Sequence, residues 1–157
     1  MKLLSFIADG RASFGAAKDN CVVDLGKRMT GCMTLRQLLE TGRVAEATKL
    51  VASAASDHPL DRITFLPVIP DPGKIICVGL NYREHSAESG FAQPEYPALF
   101  ARFSSGFIGH EQDMIRPRQS AELDYEGELV AVIGRGGRHI PLESALDHVV
   151  GYSIFND

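Results

Sequence analysis

The chain has 157 residues, 45% of them hydrophobic and 23% charged, with a formal net charge of -4. That length holds one ordinary domain, or a small domain with part of another, and the composition is that of a soluble globular protein. Basic and acidic residues are interspersed, which excludes the clustered basic face of a nucleic-acid binder, and no apolar run approaches a membrane span.

Lys2 to Ile7 reads as a strand, and the Asp9-Gly10 pair after it is a turn signal. The apolar stretch at this end is too short for a signal peptide. Cys21-Val22-Val23-Asp24-Leu25 reads as a second strand. Thr34-Leu35-Arg36-Gln37 has the form of a capping box opening a short helix through Glu40. Arg43 to Ala55 carries Ala, Val and Leu at helical spacing. Residues 1–65 therefore form a small α+β domain. Pro67, Pro70, Pro72 and Gly73 exclude a central strand or helix interior, so 66–73 reads as a linker. The three cysteines, Cys21, Cys32 and Cys77, are odd in number and widely spaced. They suit neither a disulfide framework nor a zinc site, and a reducing cytoplasm fits them best.

Beyond the linker, Lys74 to Gly79 is a short buried strand. Asn81 to Ser89 reads as a helix with Asn81 as N-cap and Glu84 at the third position. Ala98 to Phe103 is a further strand. Asp124-Tyr125-Glu126-Gly127-Glu128-Leu129-Val130-Ala131-Val132-Ile133-Gly134 is another, dense in Val and Ile. Alternation puts Asp124, Glu126, Glu128, Val130 and Val132 on one face, acidic at its start and aliphatic at its end. Carboxylates leading into a buried face are costly unless a cation meets them, so a divalent metal is one reading. A solvated strand edge, charged against edge-to-edge pairing, is the other. The Gly134-Arg135-Gly136-Gly137-Arg138 run lacks the context of a phosphate loop and reads as a hairpin loop. Pro141 to His148 is a short helix with Pro at its first turn, and Gly151 to Phe155 is a strand leading into Asn156-Asp157. His110, His139 and His148 suit surface or packing roles.

Three blocks in order, Lys74-Ile75-Ile76-Cys77-Val78-Gly79-Leu80-Asn81-Tyr82-Arg83-Glu84-His85, Asp124-Tyr125-Glu126-Gly127-Glu128-Leu129 and Gly151-Tyr152-Ser153-Ile154-Phe155-Asn156-Asp157, resemble the fumarylacetoacetate hydrolase family. The resemblance is strong over 74–157, and looser over 1–73, which looks like the small N-terminal domain of many bacterial members. It implies an α+β, β-rich fold: a small N-terminal domain, then the first half of a mixed β-roll catalytic domain over 74–157. Family members continue past the Asn-Asp, so a truncated or split domain is expected.

The resemblance further implies a metal site of Glu126, Glu128 and Asp157. Three carboxylates suit a hard cation, Mg²⁺ first, with Mn²⁺ or Ca²⁺ able to substitute. The family pattern does not make Asp124 a ligand; it is a structural residue or one that supports a ligand from behind. His85 and Glu88 match the family's catalytic His and Glu, on a segment that in other members closes over substrate. Three apart on a helix, they face the same way, and a carboxylate orients an imidazole as general base. Read alone, the pair is more often a solvent-facing helix with an incidental ion pair, and the resemblance is what favours the catalytic reading. Arg102 stands where many members carry Lys and would meet a substrate carboxylate, or is a surface charge on a strand. Tyr82 is a further substrate-binding candidate.

The implied activity is metal-dependent hydrolysis of a carbon–carbon bond in a small 2-oxo or 1,3-dicarbonyl acid, of acylpyruvate or fumarylacetoacetate type, in aromatic compound catabolism. Hydratase, isomerase or decarboxylase chemistry of the same superfamily is an alternative, as is a non-catalytic remnant acting only in association. The partners expected are a small oxo-acid substrate and a second copy in a homodimer, with no nucleic acid and no membrane.

Overall fold

The computed structural model describes residues 1–88, 90 and 92–157, without the side chain of His85. The chain divides into two compact units, Met1–Ile69 with Ile108–Asp157, and Pro70–Phe107. It is mixed α+β and sheet-rich, as its sequence implied.

The first unit begins with strands β1 (Lys2–Ala8), β2 (Arg11–Lys18) and β3 (Cys21–Asp24), helices α1 (Leu35–Glu40) and α2 (Val44–Ser53), and two short strands, β4 (His58–Pro59) and β5 (Thr64–Phe65). The five strands form an antiparallel sheet in the order β4-β3-β2-β1-β5. The β1–β2 connection is the Asp9-Gly10 turn, with φ of 50° and 74°, the two positive values a type I′ hairpin needs. The β2 strand, with its Phe14 and Ala16 facing the core, went unread in the sequence because small residues and Gly15 dilute its pattern. Gly15 is required there: a Cβ would come within 2.3 Å of the Val23 carbonyl oxygen.

Pairing Leu3 with Ala16 and Ser5 with Phe14 puts these residues on one face, and Leu4, Phe6 and Ala8 on the other. The first face is covered by α1 and α2. There Phe14, Ala16, Leu25, Met29, Cys32, Leu35, Leu38 and Ala47 form the main core. In α2, Ala47, Leu50 and Val51 supply the apolar stripe at the spacing of one helix face. The second face gathers Leu4, Phe6, Ala8 and Val22 against Leu60, Ile63 and Phe65. The predicted capping box is present in a shifted form. Thr34 Oγ1 accepts from the Gln37 N–H at 3.2 Å, while Gln37 Oε1 accepts from the Met33 N–H at 2.7 Å, one residue earlier than expected.

The second unit holds β6 (Ile76–Gly79), helix α3 (Arg83–Glu88) and β7 (Ala98–Ala101), with β6 and β7 antiparallel. The helix starts at Arg83, so Asn81 is not its N-cap and Glu84 lies in the first turn. Arg102 follows the end of β7, its N–H donating to the Ile75 carbonyl at 3.3 Å.

The chain then returns to the first unit with β8 (Gly127–Ile133) and β9 (Val149–Asn156), an antiparallel pair. The strand starts at Gly127, later than Asp124. Asp124 instead accepts the Tyr125 N–H on its own Oδ1 at 2.8 Å, a local turn bond that competes with strand pairing. Residues Leu142–His148 form the short helix expected after Pro141, and it is of the 3-10 type. His148 is buried, with Nδ1 2.8 Å from the Arg135 carbonyl and Nε2 3.2 Å from the Arg135 guanidinium. Through these two contacts the ring pins the loop after β8. No helix among the described residues is long and apolar enough to cross a membrane.

Candidate active site

The acidic residues of the first unit are brought together by backbone register. Gly127 faces Asn156 and Glu128 faces Phe155, and the ladder extends by one rung where the Asp157 N–H donates to the Glu126 carbonyl at 2.9 Å. Glu126 thus sits opposite Asp157, and strand alternation puts Glu128 on the same face. Val130, Val132, Gly151 and Ser153 continue that face, which is half-buried, while the opposite face is exposed. Glu128 and Asp157 are half-buried and Glu126 is exposed. The Asn156 side chain completes the corner, its Oδ1 accepting from the Glu126 N–H at 2.8 Å.

Three carboxylates on one face, leading into aliphatic side chains, make an all-oxygen donor set, and its chemistry fits a hard divalent cation. Their side chains are not drawn to a point: among the described residues no three His, Cys, Asp or Glu groups gather as a metal-holding cluster. The backbone register is therefore what groups the three carboxylates on one face.

The second unit carries the other predicted residues. His85 lies in α3 by its backbone, and its side chain falls outside the described residues. Glu88 ends the helix and is exposed. At about 100° per residue, positions 85 and 88 share one side of the helix and 83, 86 and 87 the other. Arg83, Ser86 and Ala87, with Gln93, line a depression of about 410 Å³ on that second side. Tyr82 is 43% exposed, and its carbonyl accepts from the Ser86 N–H at 3.0 Å. Arg102 is exposed, its guanidinium carbon 5.1 Å from the centre of the Phe100 ring. Alternation along the extended chain brings the two onto one side in a cation–π contact.

Two residues on the inner side of α3 were not singled out in the sequence. Ser86 Oγ lies 3.2 Å from both the Leu80 and Tyr82 carbonyls, and Gln93 Nε2 donates to the Leu80 carbonyl at 2.8 Å. A serine within a helix that reaches back to a carbonyl is a recognisable signal, but Gln93 gave none.

Residues 74–157 match the family model described as fumarylacetoacetate (FAA) hydrolase C-terminal. The chain belongs to the fumarylacetoacetate hydrolase family. Among curated family relatives, the mitochondrial oxaloacetate tautomerase fahd2 of Xenopus laevis is 40% identical over 125 residues, 78% of this chain and 39% of that protein. The human mitochondrial oxaloacetate tautomerase FAHD2A is 36% identical over 126 residues, 79% of this chain and 40% of its own length. The chain thus spans about two-fifths of these relatives. Among solved structures, the fumarylacetoacetate hydrolase of psychrophilic Exiguobacterium antarcticum superposes with a TM-score of 0.74 at 32% identity, covering 100% of this chain and 55% of that one. The maleylpyruvate hydrolase of Sphingobium sp. SYK-6, in complex with manganese(II) and pyruvate, gives a TM-score of 0.79 at 22% identity, covering 100% and 58%. At that identity the likeness is one of fold.

Proposed function

We propose that this chain supplies the carboxylate site and the acid–base dyad of an enzyme acting on small 2-oxo acids, with hydrolysis of a carbon–carbon bond as the reaction. The observation that carries the reading is the rung that sets Asp157 opposite Glu126, with Glu128 on the same half-buried face. Glu126, Glu128 and Asp157 would hold Mg²⁺ or Mn²⁺. The manganese(II) and pyruvate held by the maleylpyruvate hydrolase of the same fold support this choice. A bound divalent cation supplies Lewis-acid polarisation of the oxo-acid carbonyl.

The remaining steps belong to side chains. His85, oriented by Glu88, takes a proton from water as its oxygen adds to the carbonyl carbon distal to the 2-oxo acid. The carbon–carbon bond breaks, its electron pair passing to the 2-oxo acid fragment as an enolate. His85 returns its proton to that carbon, so atoms and charge balance. Arg102 or Tyr82 would meet the substrate carboxylate, Arg102 bidentately.

A second reading is keto–enol tautomerisation of oxaloacetate, favoured by the names of the curated relatives. It needs the same dyad, because the proton moves between carbon and the carbonyl oxygen and no bond between carbons breaks. One experiment separates the readings: incubate the chain with Mg²⁺ and either an acylpyruvate or enol-oxaloacetate, and follow products by chromatography and absorbance. Release of pyruvate and a free acid from the acylpyruvate supports hydrolysis. Enol decay alone, without cleavage, supports the tautomerase.

A further inference from the structure

In the second unit, Leu80 is a non-glycine residue with φ of 54°, a left-handed backbone that costs on the order of 1 kcal/mol. That conformation persists only where its surroundings over-determine it. Here the Leu80 carbonyl receives two side-chain donors from opposite ends of the segment that follows: Ser86 Oγ from within α3, and Gln93 Nε2 from beyond it. The single Ser86 hydroxyl proton is shared between the Leu80 and Tyr82 carbonyls, whereas among the described residues Gln93 Nε2 donates to Leu80. Among the described residues of this unit, Ser86 alone is buried, at 2% exposure. A six-residue helix has little stability of its own and takes its orientation from what anchors it. The anchor lies on the side of Arg83, Ser86 and Ala87, and His85 and Glu88 lie on the other.

We propose that Ser86 and Gln93 are positioning residues: clamped to the Leu80 carbonyl, they fix the rotation of α3 and so present His85 and Glu88 in one orientation. The inference rests on the reading of His85 and Glu88 as the acid–base dyad. On this reading Ser86 and Gln93 act on the backbone of the segment and not on the substrate. Their effect passes through the helix.

The test uses Gln93→Met, of matching length without the donor, and Ser86→Ala. Amide hydrogen exchange is read for Ser86 and the α3 amides after it, with β6 and β7 as an internal control. Each variant should exchange about fivefold faster in α3, the worth of one net hydrogen bond, with the β6–β7 ladder unchanged. Turnover should fall through kcat with KM held. In a His85→Ala background Gln93→Met should cost nothing further, because the dyad it positions is gone. Unchanged α3 exchange in both variants overturns the clamp. A kcat loss that persists in full on the His85→Ala background shows a general structural role and overturns the positioning. Normal turnover in His85→Ala alone overturns the dyad, and the positioning role with it, whereas the exchange rates report on the clamp independently.

Discussion

The carboxylate rung makes a prediction whose sign changes with the metal. Asp157 faces Glu126 across β8 and β9, and Glu128 shares their face. Directly opposed like charges on a strand pair cost roughly 0.2–1 kcal/mol. In EDTA, Glu126→Gln keeps the side-chain length, removes one charge and should stabilise the chain by about that amount. For a domain of this size, that raises Tm by about 1–3 °C. With Mg²⁺ at about 100 times its Kd, the wild-type chain gains about 2.7 kcal/mol, or roughly 5–10 °C, by mass action. The variant, short of one ligand, gains far less, so the order of the two melting curves inverts between EDTA and Mg²⁺. Thermal unfolding at constant ionic strength, with matched monovalent salt replacing Mg²⁺, reads this directly. The solvated-edge reading predicts no inversion, because screening by either salt relieves the same repulsion. A wild-type Tm that responds to Mg²⁺ no more than to matched salt would refute the metal assignment.

Acid should weaken the N-terminal sheet through Asp57. Burial opposes its charge, but the hydrogen bond from Arg28, the Asp24 N–H and the charges of Arg28 and Lys27 hold its carboxyl below the ordinary value of 3.8. A depressed carboxylate contributes stability above its unfolded pKa and loses it as pH falls through the folded one, so unfolding should ease below about pH 4. Asp57→Ala should cost about 1–3 kcal/mol at neutral pH, read by urea titration, and flatten that acid limb. His85→Ala should lower kcat by roughly 10²–10⁴-fold on the best oxo acid while leaving the Mg²⁺-linked rise in Tm intact; near-normal kcat would assign the base elsewhere. On the outer face of β8 and β9, Leu129 (66% exposed) pairs with Ile154 (86%) beside Tyr152 (62%), an apolar surface that should make the chain self-associate at micromolar concentration. Leu129→Glu with Ile154→Lys should shift its sedimentation toward the monomer, and a wild-type chain already monomeric would contradict the expectation.

The fold was legible where chemistry is local. Asp9-Gly10 announces a type I′ turn, and Thr34 with Gln37 announces a helix start, because each motif satisfies its own backbone. The next hairpin turn, Asp19-Asn20 with φ of 50° and 59°, has the same geometry. It went unread because its preceding strand, Arg11 to Lys18, carries Ser, Gly and Ala where a strand pattern wants larger side chains. Only pairing to both neighbours makes β2 a strand, and that is a long-range fact. The two-residue strands β4 and β5 are likewise created by the edges they join. In the site, alternation correctly grouped Glu126 with Glu128, but extending the strand back to Asp124 ignored that an Asp can bond its neighbour's N–H instead. The Leu80 clamp was invisible, since a positive φ at leucine runs against every local preference.

The Asn156-Asp157 pair gains a physical reading from its register. Asn156 lies opposite Gly127, and its side chain accepts the Glu126 N–H just beyond the strand's first residue. Asp157 then donates its own N–H to the Glu126 carbonyl. Both backbone polar groups of Glu126 are thereby bonded to the Asn-Asp pair, one to a side chain and one to a main chain. Glu126 is exposed and lies before the first residue of β8, so its backbone would otherwise be free to turn. Held at both groups, it stays in register with Glu128 two residues on. The pair thus does two kinds of work. Asn156 and the Asp157 N–H fix where Glu126 stands, which leaves the Asp157 carboxylate on the face it shares with the two glutamates. Asn156→Ala should therefore loosen the Mg²⁺ response without removing a single carboxylate, a loss that a purely charge-based account of the site does not produce.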